Sequence, residues 1–358
     1  MPPVLARRAP KVDQIVIITG GARRMRAVGG ILVVHCRMED GKDRRIHLLL
    51  NQIRRYGESL RAPNLPAEAR RYGERIMKLG AFDIYPVSDG RFRLDGGAMF
   101  GVVPKALWGK CCPADELNRI SLSLTALLIR ANGRNILVDT GLGTKEDEKF
   151  RNMFAVERTP TILESLKRLG LGPDDIHLVI NTHLHFDHAG GNTMSGEDGS
   201  IRAVFPQARY VIQQGEFEDA ARANERTRAS YRPDNFTPID SINQWEFLHG
   251  DTELVPGVTA VVTAGHTRYH QSVKIESEGQ IAFFLGDLIP TVSHLPLPYI
   301  MSYDLFPIQT LETKRWVLDR AFEERWLLLF EHDPVVQAGY VRRDQNGKYF
   351  LREVTAWQ

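Results

Sequence analysis

Ten consecutive residues constrain this chain more than any others: Thr182-His183-Leu184-His185-Phe186-Asp187-His188-Ala189-Gly190-Gly191. Four side chains able to bind a metal, His183, His185, Asp187 and His188, fall within six positions. The run follows Ile176 to Asn181, an apolar stretch that reads as a strand, so the four lie on a loop at a strand end. His183 and His185 alternate and can share one side of an extended segment. A turn at Phe186 then lets Asp187 and His188 reach a neighbouring position. Gly190 and Gly191 leave room for the chain to turn closely behind them. This is not H-E-x-x-H, which needs a helix. Imidazole and carboxylate ligands suit Zn, Mn, Fe or Co.

A catalytic zinc takes about three protein ligands, so the run alone fills one site. Three later residues argue for two. His266, Asp287 and His332 each stand just past an apolar stretch that reads as a strand, where functional loops lie. The set becomes seven ligands, with Asp287 able to bridge two ions. The expected cofactors are therefore two divalent ions, with Zn2+ first and Mn, Fe or Co as alternatives. A lone histidine is usually structural, and His270 and His294 are read so. Such a centre does hydrolysis. A metal lowers the pKa of bound water from about 16 to roughly 7, and a second ion polarises the substrate oxygen. Asp187 could hold the water or carry its proton to the leaving group. Ser123, Ser272 and Ser293 lack a G-x-S-x-G context and are read as ordinary structure.

The 358 residues suit one large domain, or one large and one small. Charge divides them. Residues 1–76 carry 16 Lys and Arg against 7 Asp and Glu, whereas residues 77–358 carry 30 against 37. In the first part, Ile15 to Thr19 and Ile31 to Cys36 read as strands, and Ile46 to Asn51 could pair with the second. An Arg-rich stretch up to Arg75 follows. Its glycines make neither G-x-G-x-x-G nor a Walker A loop. Residues 1–76 are expected to be a basic, poorly ordered extension, or sequence upstream of a true start at Met77. Residues 77–358 are expected to be the hydrolase domain. Cys36, Cys111 and Cys112 make no disulfide framework, which points to the cytoplasm. No signal peptide or membrane span is read.

From Met77 onward strands and helices alternate. Phe82 to Ser88 reads as a strand ending in a turn at Asp89-Gly90, and Phe92 to Phe100 as a hairpin partner or extended stretch. Ser123 to Arg130 and Asn135 to Asp139 read as a hairpin about Asn132-Gly133. Helices are expected over Thr161 to Leu169, Gln214 to Arg228 and Leu311 to Glu324. Phe236 to Leu248 reads as irregular. Two packed sheets with outer helices fit this order, although the pattern alone does not separate it from other α/β folds.

The residues now assembled resemble the metallo-β-lactamase superfamily over about residues 77–358. H-x-H-x-D-H is matched in full at 183–188, and His266, Asp287 and His332 match its later histidine, bridging aspartate and last histidine. The resemblance implies an αββα sandwich. It implies that His183, His185 and His266 hold one metal, that Asp187, His188 and His332 hold the second, and that Asp287 bridges them. Aspartate at that position is similar to the lactonase, glyoxalase II and phosphotriesterase-like branches, since zinc β-lactamases commonly carry cysteine there. Leu94 to Gly101, Gly286 to Thr291, His294 to Pro296 and Met301 to Asp304 resemble the longer quorum-quenching N-acyl homoserine lactonases and the methyl parathion hydrolases. One departure stands out. Shorter lactonases carry a tyrosine where this chain has Pro290, and Tyr303, Tyr299 and His294 are the candidates to replace it.

The expected reaction is opening of a lactone or similar ester, with N-acyl homoserine lactones as one candidate class. Asp187 and Asp287 are the carboxylates expected in catalysis. Met99, Phe100, Trp108, Phe186, Phe236, Trp245, Leu295 and Met301 are candidates for an apolar wall, with core packing equally open for each aromatic. A phosphotriester, or another ester or thioester, is the alternative substrate. A nuclease would want a basic path to the metals, and the net negative charge of residues 77–358 opposes it. A metal-binding domain without turnover remains the reading from outside enzymology. The expected partner is a small molecule, with neither nucleic acid nor membrane. A homodimer is a further expectation, with the apolar segments near Phe100 or Tyr299 as its contacts.

Overall fold

The computed structural model describes residues 76–353, and between residues 14 and 36 the backbone of three strands. The chain divides into two units, Met1–Pro66 and Ala67–Gln358. In the first unit β1 (Gln14–Thr19) pairs in parallel with β3 (Ile31–Cys36), and β2 (Met25–Val28) pairs antiparallel with β3. The strands read at 15–19 and 31–36 are there. The partner expected at Ile46 to Asn51 and the Arg-rich stretch lie outside the described residues.

The second unit holds two seven-stranded sheets. The first contains β4 (Met77–Leu79), β5 (Phe82–Asp95), β6 (Arg119–Ala131), β7 (Arg134–Val138), β8 (Leu178–Ile180), β11 (Arg209–Gln213) and β12 (Trp245–Leu248). Its order is β12-β11-β8-β7-β6-β5-β4. A small hairpin of β9 (Thr193–Ser195) and β10 (Ile201–Ala203) stands apart. The second sheet runs in sequence order: β13 (Thr252–Val255), β14 (Val258–Val262), β15 (Gln271–Ser277), β16 (Gln280–Phe284), β17 (Leu327–Leu329), β18 (Ala338–Arg343) and β19 (Tyr349–Glu353).

Strand alternation explains the layering. In β6, Leu127, Ile129 and Ala131 point into the core between the sheets, where Phe284, Val273 and Leu329 meet them. Ala126 and Leu128 point the other way, onto Ile162 and Leu166 of the helix Ile162–Arg168. Apolar residues on both faces mark a strand covered on both sides. The second sheet does the same with Val317, Leu318 and Ala321 of the helix Pro307–Glu323. The result is an αββα sandwich. The two helices sit in crossovers between parallel neighbours, β7 to β8 and β16 to β17.

Local chemistry sets several boundaries. Asn132 and Gly133 both take positive φ, 52° and 74°, as a tight hairpin turn requires. The helix at 162 starts on a capping box of Thr161 and Glu164. Asp89-Gly90, expected as a turn, is instead a bulge within the continuous strand β5. The reason is tertiary. The Asp89 carboxylate accepts from the backbone N–H groups of Leu142, Gly143 and Ile162, which holds the bulge in place. Gly96–Phe100 is a helical turn capped by Asp95, not an extended stretch. The helix expected over Gln214 to Arg228 ends at Ala221, and beyond it the Asn224 side chain takes the N–H groups of Arg226 and Thr227 into a turn. Among the described residues no helix is long and apolar enough to cross a membrane, and Cys111 and Cys112 are free.

Candidate metal centre

Five strands deliver the site from one edge of the sandwich. Asp139 follows β7, the 183–188 run follows β8, His266 follows β14, Asp287 follows β16, and Glu331-His332 follows β17. Loops at strand ends are where α/β folds place function. At this edge the sheets are also tied together, since the N–H groups of Ser123 and Thr125 in β6 donate to His332 and Glu331 carbonyls.

The 183–188 run holds its shape through Asp139. One oxygen of Asp139 accepts from Thr182 N at 2.7 Å, and the other from Thr182 Oγ1 at 2.7 Å, with His188 Nδ1 3.1 Å away. Phe186–Ala189 then forms one helical turn that carries Asp187 and His188. The glycines behind it are required by space. A Cβ on Gly190 would stand 2.0 Å from the Leu142 carbonyl oxygen, and one on Gly191 2.2 Å from that of Thr140.

The structure brings all seven expected residues together, in two groups. His183, His185, His266 and Asp287 form one, and Asp187, His188 and His332 form the other, with ligand atoms within 4.8 Å of one another in each. Asp287 lies between them. Its Oδ2 is 3.1 Å from His266 Nε2, and its Oδ1 is 3.1 Å from His332 Nε2 and 3.5 Å from His188 Nε2. Asp187 Oδ2 stands 3.8 Å from His332 Nε2 and 3.9 Å from His188 Nε2.

The donor set suits cations. His266 Nδ1 meets Asp304 Oδ1 at 2.8 Å, His332 Nδ1 meets the Ser123 carbonyl at 2.8 Å, and His188 Nδ1 meets Asp139. Each Nδ1 therefore carries the proton it donates, and each Nε2 presents a lone pair to the interior. Yet His188 Nε2 and His332 Nε2 stand only 3.1 Å apart, and His266 Nε2 and His185 Nδ1 only 3.0 Å. Facing lone pairs at that distance repel unless a proton or a metal lies by them. His183 Nε2 and Asp287 Oδ1 are buried with no hydrogen-bond partner. Such a cluster of buried unpaired acceptors fits metal ions.

Electrostatics divide the histidines. Burial, reinforced by the neighbouring imidazoles, holds His183 and His185 well below the usual range. Burial also acts against protonated His188 and His332, but carboxylates outweigh it: Glu331, Asp287 and Asp187 raise His188, and Asp287 raises His332 to about 9. Burial would raise Asp287, yet His188, His266 and His332 hold its carboxyl well below the ordinary 3.8.

Sequence reasoning missed the residues behind the ligands: Asp139, Glu331, Glu216 and the supporting role of His270. Asp139 and Glu331 stand at strand ends as Asp287 does, and that was the available signal. His270 takes no place among the ligands. Its Nε2 accepts from Asp287 N at 3.1 Å while its Nδ1 meets Thr263 Oγ1 at 2.9 Å, and burial lowers it to about 3. His294 is likewise spent on Thr291 Oγ1 and the Met99 carbonyl, stacked on Phe100 at 4.5 Å. Among the wall candidates, Met99, Phe100, Trp108, Phe236, Leu295 and Met301 are buried core. Phe186 is partly exposed and meets Phe150 and Phe154. Tyr303, His185, Arg226, Thr227, Ser230 and Leu305 line a hollow of about 40 Å³ beside the cluster.

Comparison with known proteins agrees with this geometry. The sequence profile of the metallo-beta-lactamase superfamily matches residues 122–335. An N-acyl homoserine lactonase of Bacillus cereus is 32% identical over 171 residues, 45% of this chain and 61% of the relative, so the match spans about three fifths of that enzyme. The crystal structure of a "probable metal-dependent hydrolase" from Staphylococcus aureus superposes with a TM-score of 0.71 at 34% identity, covering 78% of this chain and 100% of that one. A dizinc quorum-quenching lactonase shares the fold, with a TM-score of 0.66 at 20% identity over 78% of this chain and 97% of its own. With the ordered ligand-type residues, the αββα sandwich and the profile match in agreement, the chain belongs to the metallo-beta-lactamase superfamily.

Proposed function

We propose that this protein opens a lactone or similar ester at a binuclear metal centre, with N-acyl homoserine lactones as the substrate class to try first. The observation that carries the reading is Asp287, whose two oxygens face two separate groups of inward-pointing imidazoles. His183, His185 and His266 would hold one ion, Asp187, His188 and His332 the other, and Asp287 both. Two divalent ions there, zinc by the chemistry of the ligands, would supply a water-derived nucleophile at neutral pH and stabilise charge on the substrate oxygen.

The chain's own groups do the rest. Asp187, at the rim of the second group, orients the attacking water and takes its proton. When the ring C–O bond breaks, the same carboxyl returns that proton to the departing alkoxide. Tyr303 is the residue we assign to the place left by Pro290. Its phenol lines the hollow beside His185, and burial with Asp95 and Asp187 nearby pushes it up to about 12, so it stays a hydrogen-bond donor. Of the other candidates, His294 has both ring nitrogens engaged, and Tyr299 packs edge-on against Phe100. Phe186, with Phe150 and Phe154, offers apolar surface to an acyl chain, worth roughly 0.8 kcal/mol per buried methylene. A cytoplasmic setting fits the free Cys111 and Cys112.

Parallel assays on acyl homoserine lactones of several lengths, phosphotriesters, thioesters and cyclic nucleotides test the reading. Lactone turnover should exceed the rest. No activity on any lactone, beside a strong rate on another class, would overturn it. We also take residues 1–76 as an extension to a hydrolase domain of residues 77–358. Equal turnover by proteins started at Met1 and at Met77 is the expected result, and loss from the shorter one would refute it.

A further inference from the structure

We propose that Glu216 is a positioning residue for the first ligand group, and that its loss weakens one metal site while sparing the other. The inference rests on the ligand grouping above. Four of the five histidines in the cluster have an outward nitrogen held from behind: His183 by Thr182 Oγ1 at 3.0 Å, His188 by Asp139, His266 by Asp304 and His332 by the Ser123 carbonyl. His185 differs. Among the described residues its ring makes one hydrogen-bond contact, to His266 Nε2 inside the cluster.

Something else must hold that ring, and the candidates converge on one carboxylate. Tyr231 lies against the His185 ring at 4.9 Å, and the two residues form a backbone bridge. Tyr231 Oη donates to Glu216 Oε1 at 2.9 Å. Leu184 N, between His183 and His185, donates to the same oxygen at 3.2 Å. Glu216 Oε2 accepts from Thr267 Oγ1 at 2.6 Å, beside His266. Glu216 itself is fully buried on the helix Gln214–Ala221, which directly follows β11. One side chain thus fixes the segments that carry His183, His185 and His266, without touching a ligand nitrogen. None of its three hydrogen bonds reaches Asp187, His188 or His332.

The test is Zn2+ titration of the full chain against a chromophoric chelator, so no substrate is involved. Wild type should bind two equivalents tightly. E216Q keeps the shape but has a single acceptor oxygen for three donors. One equivalent should weaken by about 10–100-fold, as for other residues that orient ligands, and the other should hold. Two backgrounds say which. In H332A, where only the first group is intact, E216Q should remove the remaining tight binding. In H266A, where only the second is intact, E216Q should change nothing. If E216Q does not fold, Y231F and T267V each remove one hydroxyl and should shift the same equivalent by less. Unchanged binding of both equivalents, an equal loss of both, or a loss confined to the second group would each overturn the proposal. Two tight Zn2+ ions without lactone turnover would sink the substrate reading and leave this one standing.

Discussion

The two ligand groups face each other across Asp287, yet they are supported in different ways. Behind the second group stand carboxylates in direct contact. Asp139 and Glu331 each place an oxygen 3.1 Å from His188 Nδ1, and both follow central strands, β7 and β17. Behind the first group only His183 is tied to that frame, through Thr182 and Asp139, and the other supports come from loops and helices. Asp304 holds His266 from the 295–306 connection, and Glu216 reaches in from a helix. Lys314, buried on the helix Pro307–Glu323, donates to the carbonyls of Pro296 and Tyr299 and so fixes the connection that carries Asp304. One group therefore depends on strand ends, which a sandwich holds rigidly, and the other largely on segments of the kind that open at lower free energy. The first group should be the more easily emptied of the two.

Four changes break or sharpen that contrast. D287A removes the one residue common to both groups. It should lower kcat/KM on the best substrate by at least about a thousandfold, in line with losing a charge-stabilising group and its metal. Metal analysis should find it retaining one ion at most. E331Q acts on one side only. It removes the charge of the carboxylate that stands 3.1 Å from His188 Nδ1, so Zn2+ at the second group should weaken by about 10–100-fold with the first group unchanged. Equal weakening of both would mean that the groups are not separable. Y303F leaves both groups intact. Two Zn2+ should still bind while kcat falls by about 100-fold, the low end for one lost donor to a developing oxyanion. A change in metal content instead would remove Tyr303 from the chemistry.

The smallest effect concerns stability. Burial pushes Lys314 down from 10.5 to about 7, with the Asp304 carboxylate opposing. The unfolded chain keeps that proton to higher pH than the folded one. Between about pH 7 and pH 10 the unfolded state therefore binds more protons, and this residue makes stability rise with pH across that window. Below it the penalty for the buried ammonium is constant. K314M should flatten the rise, read as thermal midpoints of wild type and variant at several pH values. A variant with the same slope as wild type would show that Lys314 does not set it.

Much of the site could be read in the sequence because its residues are local or stand at marked places. His183 to His188 lie within six positions, and His266, Asp287 and His332 each follow an apolar strand. The elements were legible for the same kind of reason: alternation and turn residues at Asn132-Gly133 are short-range signals. The failures share the opposite cause. Asp89-Gly90 looks like a turn until residues 142, 143 and 162 donate to its carboxylate. For Phe100, Trp108 and Phe236 pocket wall and core packing stood equally open, and only the packing decides for core.

The sequence by itself determined the kind of chemistry, since imidazole and carboxylate at strand ends have few uses other than holding cations. The order of strands and helices narrowed the fold to α/β without separating the sandwich from its alternatives. The resemblance implied the grouping of the seven residues and the place of Asp287 between the groups, whereas the tertiary structure alone decided the unequal supports behind them. Those depend on Asp139, Glu216, Asp304 and Glu331, whose roles exist only once distant segments have been brought within hydrogen-bond reach. A hydrogen bond is decided by a few tenths of an ångström, and no spacing along the chain encodes that.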